Sequence, residues 1–357
     1  MGCGLRYLTP KINNMAYKFK NLVFEGGGVK GIAYVGALEV LEKEQILGNI
    51  KRVAGTSAGA MVAVLIGLGY SAEELKDILW KINFRNFLDS SWGMVRNTAR
   101  LIQDYGWYKG DFFRNLMADY IKAKTDDGEI TFKGIRKLQK EGKPFMDIFL
   151  IGSDLSTGYT KVFSYDSTPD MKVADAARIS MSIPLFFAAV HGQSDDHIYV
   201  DGGLLENYAI KVFDRTDFVS KSGIRRTDYY EKVNSSSRKK KSGLEFEYVY
   251  NKETLGFRLD AKEDIAMYLE HADPPVKEIN NLYSYTKALV TTLIDFQNNV
   301  HLHSDDWQRT IYIDTLGISS IDFGLSDTKK QKLVDSGREH TEAYFKWYNN
   351  DEVKANK

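Results

Sequence analysis

Three short glycine-bearing segments of this sequence have residue types and spacings that could do chemistry: Gly55-Thr56-Ser57-Ala58-Gly59, Gly26-Gly27-Gly28-Val29-Lys30-Gly31 and Asp201-Gly202-Gly203. The first is a G-x-S-x-G pattern placed between two apolar runs. A serine on a sharp strand-to-helix turn holds its hydroxyl clear of the backbone, with Gly55 and Gly59 relieving the crowding. The N-terminus of the helix that follows directs a partial positive charge at that hydroxyl. The chemistry this suits is nucleophilic attack through Ser57.

The glycine loop has three readings. It can be a tight turn that needs glycine for its backbone angles. Gly26, Gly28 and Gly31 also satisfy G-x-G-x-x-G, which would make the loop a nucleotide-binding turn with Glu42 or Glu44 as ribose partner. Third, Gly26, Gly27, Gly28 and Val29 can form an oxyanion hole, the N–H groups of Gly27, Gly28 and Val29 being free to face a developing negative charge. Geometry favours the third, because turns after successive parallel strands lie along one edge of a sheet, where this loop and Ser57 converge. Asp201 is either a turn former or a carboxylate base. A Ser-His-Asp arrangement needs a histidine in a strand-end loop, and of the six histidines (191, 197, 271, 301, 303 and 340) only His191, before Gly192, comes near that pattern. A carboxylate acting directly on the serine is the remaining option.

These segments need elements to hold them. Leu22–Phe24 and Arg52–Ala54 are strand-like runs, each cut off by glycine, and helical spacing follows both. Strand, glycine turn and helix in alternation imply a mainly parallel central sheet with flanking helices, an α/β fold. Ser71 and Glu74 form a capping box for a further helix. Phe145–Gly152 reads as a strand, Val173–Ser182 as a helix stopped by Pro184, and His197–Val200 as the strand that delivers Asp201. We expect a leader over 1–19 and a catalytic core over 20–213. An elaboration of the same domain over 214–357 would hold a basic mobile insertion (221–242), a late strand (309–315) and a closing helix (328–348). Trp92 and Trp107 belong to an aromatic stretch that is either core or an interfacial surface.

The 48 basic and 48 acidic residues cancel, which removes any general electrostatic case for nucleic acid. A single cysteine, Cys3, precludes an internal disulfide and a Cys-rich zinc site. The longest apolar stretch, Ala58–Tyr70, is too short to span a bilayer. A cytoplasmic chain that meets membranes from the surface is expected.

Together, Glu25-Gly-Gly-Gly-Val-Lys-Gly31, Gly55-Thr-Ser-Ala-Gly59 and Asp201-Gly-Gly203 resemble the patatin-like phospholipase family, as does Ala177–Phe187 with its helix-to-proline element. Glu25 departs from the aspartate usual in that family. The resemblance implies a Ser57–Asp201 dyad without histidine, supported by Lys30, Gly31, Gly55, Gly59, Gly202 and Gly203, with the first glycine loop as oxyanion hole. It implies a phospholipid substrate at the inner face of a membrane, an acyl-enzyme, and no metal or cofactor. Residues 315–326 are further similar to bacterial relatives that act in antiphage defence, in which a cyclic di- or trinucleotide activates the lipase; oligomers are compatible with this. Two rival readings stay open: a nucleotide-binding module, and an inactive lipid-binding relative.

Overall fold

The computed structural model of the chain describes residues 17–82, 105–192, 195–239, 246–260, 278–281, 305–320 and 322–350, with isolated positions between. Trp92 and most of the expected leader lie outside the described residues, as do the side chain of Trp107 and the end of the expected basic insertion.

Strands β1 (Asn21–Phe24), β2 (Arg52–Thr56), β3 (Gly106–Tyr108), β4 (Asp147–Asp154), β5 (Tyr159–Phe163), β6 (Leu185–Phe187), β7 (Val190–His191) and β8 (Ile198–Asp201) come first. They are followed by β9 (Ile224–Arg225), β10 (Tyr250–Asn251), β11 (Thr254–Asp260) and β12 (Thr310–Asp314). One eight-stranded sheet runs β12-β11-β1-β2-β4-β8-β7, with β5 on the other edge of β4. Its five strands from β12 to β4 are parallel, while β5, β7 and β8 pair antiparallel. The parallel strands are buried along almost their whole length. That is why they read as continuous apolar runs rather than alternating ones.

The helices are α1 (Ala33–Lys43), α2 (Ala58–Gly67), α3 (Ala72–Lys81), α4 (Asp111–Thr125), α5 (Phe132–Lys140), α6 (Val173–Ser180), α7 (Asp228–Lys239) and α8 (Asp327–Tyr348), of which α2, α6 and α8 pack directly on the sheet. Every residue of α2 is buried, as expected for a helix apolar all round. α3 starts with the expected capping box: Glu74 N–H donates to Ser71 Oγ and Ser71 N–H to the Glu74 carboxylate. The strand expected over 309–315 is β12, and the closing helix is α8.

Residues 221–239 carry regular structure where the sequence suggested only a mobile loop. A 3-10 turn leads into β9, which pairs with β10, and α7 follows. The cause is a buried anchor that polar composition does not reveal. Tyr230, on α7, donates its hydroxyl to Asp214. Arg309, fully buried, donates to both oxygens of the same carboxylate (2.6 and 2.7 Å) and to Asp306 (2.6 and 3.0 Å). Breaking such a pair strands buried charge, which costs several kcal/mol. Arg309→Ala should therefore lose about 3–5 kcal/mol of stability. Urea titration reads this directly, and a loss below about 1 kcal/mol would show that the cluster does not fasten α7 to the core.

Candidate active site

The register along β4 assembles the site. Arg52–Thr56 of β2 pair with Asp147–Ile151 of β4. Beyond Ile151 the same edge of β4 is taken over by β8, in the opposite direction, with Gly152 opposite Asp201. β2 and β8 thus meet end to end, and the residues at the junction are Ser57 and Asp201. On the other side of β2 lies β1, with Phe24 opposite Gly55, so the glycine loop after Glu25 flanks the same junction. The three segments singled out from the sequence converge at one point.

Ser57 sits at φ +52°, ψ −124°, outside the regions a non-glycine residue adopts without strain. Two glycines permit the turn by letting backbones touch. A Cβ on Gly55 would lie 2.1 Å from the carbonyl oxygen of Gly59, and one on Gly59 would lie 2.4 Å from that of Phe24. Ser57 N–H donates to Ser180 Oγ at 3.0 Å, and the Ser57 hydroxyl faces Met181 Sδ at 3.7 Å.

Asp201 is buried. Its Oδ1 accepts from Gly203 N–H at 2.7 Å, while Oδ2 has no hydrogen-bond partner among the described residues. Burial pushes the carboxyl up to about 7, opposed by the Gly203 N–H and the nearby Ser57 hydroxyl. A carboxyl with a free buried oxygen beside a hydroxyl, and with its pKa near neutrality, can accept that hydroxyl's proton. Burial also pushes Glu206 up to about 7, with Lys211 opposing.

The glycine loop corrects part of the expected oxyanion hole. Gly26 N–H donates to the carbonyl of Asn207 (3.1 Å) and Val29 N–H to that of Ser320 (2.9 Å), so neither amide is free. Asn207 bridges the two loops, and residues after β12 cross over the glycine loop; neither partner is foreshadowed by the loop's own sequence. The N–H groups of Gly27 and Gly28 have no hydrogen-bond partner among the described residues. Gly28 takes φ +55°, where glycine carries no steric penalty.

Glu25 holds the loop to β11. Its carboxylate accepts from Leu259 N–H at 2.6 Å and lies 3.6 Å from the buried Arg258. Burial raises its pKa, against the pull of Arg258. Lys30 donates from Nζ to the Leu259 carbonyl on β11 (3.3 Å).

A narrow cavity opens on Ser57, lined by Met61, Leu79, Met181, Ile183, Phe187 and Phe323 as well as the glycine loop. It encloses about 20 Å³, room for about one water. His191 is exposed and lines a different cavity, His197 pairs with Asp154 at 2.8 Å, and His340 bonds Ser336 on α8. None of these described histidines reaches Ser57. No group of residues able to hold a metal is found among the described residues, and no described helix is long and apolar enough to cross a membrane.

Sequence reasoning missed Asn207, Arg258 and Ser320 as supports of the site. Ser180 and Met181 were visible only as members of the helix-to-proline element.

Comparison with known proteins bears on the family and the fold. Residues 22–214 match the family model described as Patatin-like phospholipase. The Bacillus subtilis protein YqhO is 32% identical over 339 residues, which is 91% of this chain and 97% of that protein. A Vibrio cholerae protein described as a cGAMP-activated phospholipase is 23% identical over 56% of this chain and 57% of its own length. The crystal structure of VipD from Legionella pneumophila shares the fold, with a TM-score of 0.52 and 15% identity, covering 93% of this chain and 67% of that one.

Proposed function

We propose, for a chain that belongs to the patatin-like phospholipase family, that it cleaves phospholipid acyl esters with Ser57 as nucleophile and Asp201 as base. The observation that carries this reading is the end-to-end meeting of β2 and β8 along β4, which brings the buried Asp201 carboxyl, one oxygen of it without a partner among the described residues, into interaction with the Ser57 side chain. The hydroxyl turns from Met181 toward Asp201 Oδ2, gives up its proton and attacks the ester carbonyl. The tetrahedral oxyanion is met by the N–H groups of Gly27 and Gly28 and by the positive end of α2. The protonated Asp201 returns its proton to the departing alcohol, leaving the acyl group on Ser57. Asp201 then takes a proton from water as the water attacks the acyl carbonyl; the acyl–Oγ bond breaks, the fatty acid leaves and Asp201 returns the proton to Ser57 Oγ. These steps need no metal. Glycine-loop nucleotide binding is the weaker reading, because Gly26 and Val29 have their N–H groups engaged by carbonyls and cannot cradle a phosphate.

We place this activity at the inner face of a membrane, with the chain in the cytoplasm, and include activation by a cyclic nucleotide in the proposal. Support for that last step is the description of the Vibrio cholerae relative. Fatty-acid release from mixed phospholipid vesicles, by wild type and Ser57→Ala, with and without cyclic nucleotides, tests it. Release by wild type only when one nucleotide is present supports a switched lipase. Release without nucleotide supports the hydrolase and removes the switch, and silence under both conditions favours an inactive relative.

The base must be ionised to act, so kcat/KM should rise with pH through about 7 and level off above it. Glu206→Gln should leave that midpoint in place, because the Glu206 carboxyl, though also raised, interacts with Lys211 whereas it is Asp201 that interacts with the Ser57 hydroxyl. A flat profile from pH 5 to 9 would count against Asp201 as base.

A further inference from the structure

A serine–carboxylate pair lacks the third member that orients the base in a triad. We infer that the consecutive residues Ser180, Met181 and Ser182, at the end of α6, supply this orientation, with Ser180 the positioning residue for the nucleophile. The inference rests on the assignment of Ser57 and Asp201 above.

Each of the three residues grips one part of the pair. Ser180 Oγ accepts from Ser57 N–H at 3.0 Å, and its own proton goes to the Ile151 carbonyl at 2.6 Å. A serine hydroxyl has one proton to donate, so with that proton fixed on Ile151 a lone pair is turned to Ser57. Ile151 is the last β4 residue paired with β2, next to the Gly152 that faces Asp201. Ser180 therefore ties the strained turn to the place where the two strands change over. Met181 Sδ receives the Ser57 hydroxyl in the resting state. The Ser182 carbonyl accepts from Asp201 N–H at 2.9 Å, fixing the backbone of the base.

The triplet is itself held. Ser182 Oγ donates to the Arg178 carbonyl at 2.7 Å and accepts from the Arg178 guanidinium. That guanidinium also donates to the carbonyls of Lys109 and Ala188. Ser180 and Ser182 are fully buried, so these bonds do not compete with water. Without Ser180 Oγ, the Ser57 N–H is orphaned in a buried turn that already carries strain, and the turn is free to relax.

The test compares Ser180→Ala, Ser180→Thr and Ser180→Cys on a soluble short-chain ester, with kcat and KM read separately and folding followed by thermal melting. A displacement of about 1 Å at a reacting group costs up to roughly 100-fold, so Ser180→Ala should lose about 10- to 100-fold in kcat with KM little changed. Ser180→Thr, which keeps the oxygen, should recover most of the loss. Ser180→Cys, close in size but a weak acceptor, should lie between alanine and wild type. Labelling of Ser57 by an alkyl fluorophosphonate should slow in parallel with kcat. The inference is overturned by a folded Ser180→Ala with kcat within twofold of wild type, or by Ser180→Cys at the wild-type rate should the alanine variant not fold. A wild type that takes no label on Ser57 strikes the nucleophile assignment, whereas normal labelling with an unaffected Ser180→Ala strikes only the orienting triplet.

Discussion

Asp201→Asn removes nearly all turnover, on the order of 10⁴-fold, while the protein stays folded. The size follows from the lack of a second base bonded to Ser57 among the described residues: His191, His197 and His340 are engaged or lie elsewhere, and the carboxyl of Glu206 interacts with Lys211. An asparagine occupies the same space and can keep the Oδ1 bond from Gly203 N–H, but it cannot take a proton. Ser57→Ala should lose as much, and the double variant little more, since the two residues act as one unit. The same substitution should also stabilise the protein at high pH. An unfolded aspartate ionises near pH 4, whereas Asp201 in the fold holds its proton up to about 7. Between those values wild-type stability falls as pH rises, and the full cost of ionising a buried carboxyl is present above 7. Asp201→Asn carries no such cost, so it should melt higher than wild type at pH 8 and not at pH 4. Near-wild-type turnover in this variant would redirect the search for a base to His191 and to residues outside those described.

Gly28→Ala should lose about 10²–10³-fold in kcat, the scale of a lost oxyanion donor. Alanine is strained at φ +55°, by roughly 1–2 kcal/mol. Its methyl would also lie 2.0 Å from the carbonyl oxygen of Ser320, a backbone atom that cannot swing aside like a side chain. Either the glycine loop or the crossing segment at Ser320 must move. In both cases the N–H groups of Gly27 and Gly28 leave the position that faces the carbonyl above Ser57. Because the loss is in transition-state binding, KM on a soluble ester should change much less than kcat. A folded Gly28→Ala with kcat within fivefold of wild type would contradict the oxyanion assignment.

The part of this molecule that was legible in its sequence is the part built from local rules. The glycines after Glu25 marked the end of β1, whereas β2 runs through Gly55 to Thr56, two residues beyond its expected end; Ser57 between Gly55 and Gly59 marked the turn between β2 and α2. Ser71 with Glu74 marked the start of α3. Adjacency of β1 and β2 followed from parallel topology, and brought the glycine loop to Ser57 without a structure. What could not be read were contacts between residues distant in the chain. Nothing near Val29 signals that its N–H meets the carbonyl of Ser320, so the expected set of free amides, Gly27, Gly28 and Val29, was one too large. The antiparallel entry of β8 onto the edge of β4 depends on where β2 stops, which is a property of the sheet rather than of either strand. The polar run after Lys221 suggested a loose insertion, because the Asp214 carboxylate that receives Tyr230 is itself held by Arg309, 95 positions beyond Asp214. Composition reports solvation; it does not report pairing.

The most direct test of the central claim is to treat the folded protein with a long-chain alkyl fluorophosphonate and map the adduct by mass spectrometry. The account predicts a single modified residue, Ser57, with a labelling rate that rises with pH through about 7 in wild type and is nearly abolished in Asp201→Asn. An adduct on another residue, or undiminished labelling of Ser57 in Asp201→Asn, would contradict it.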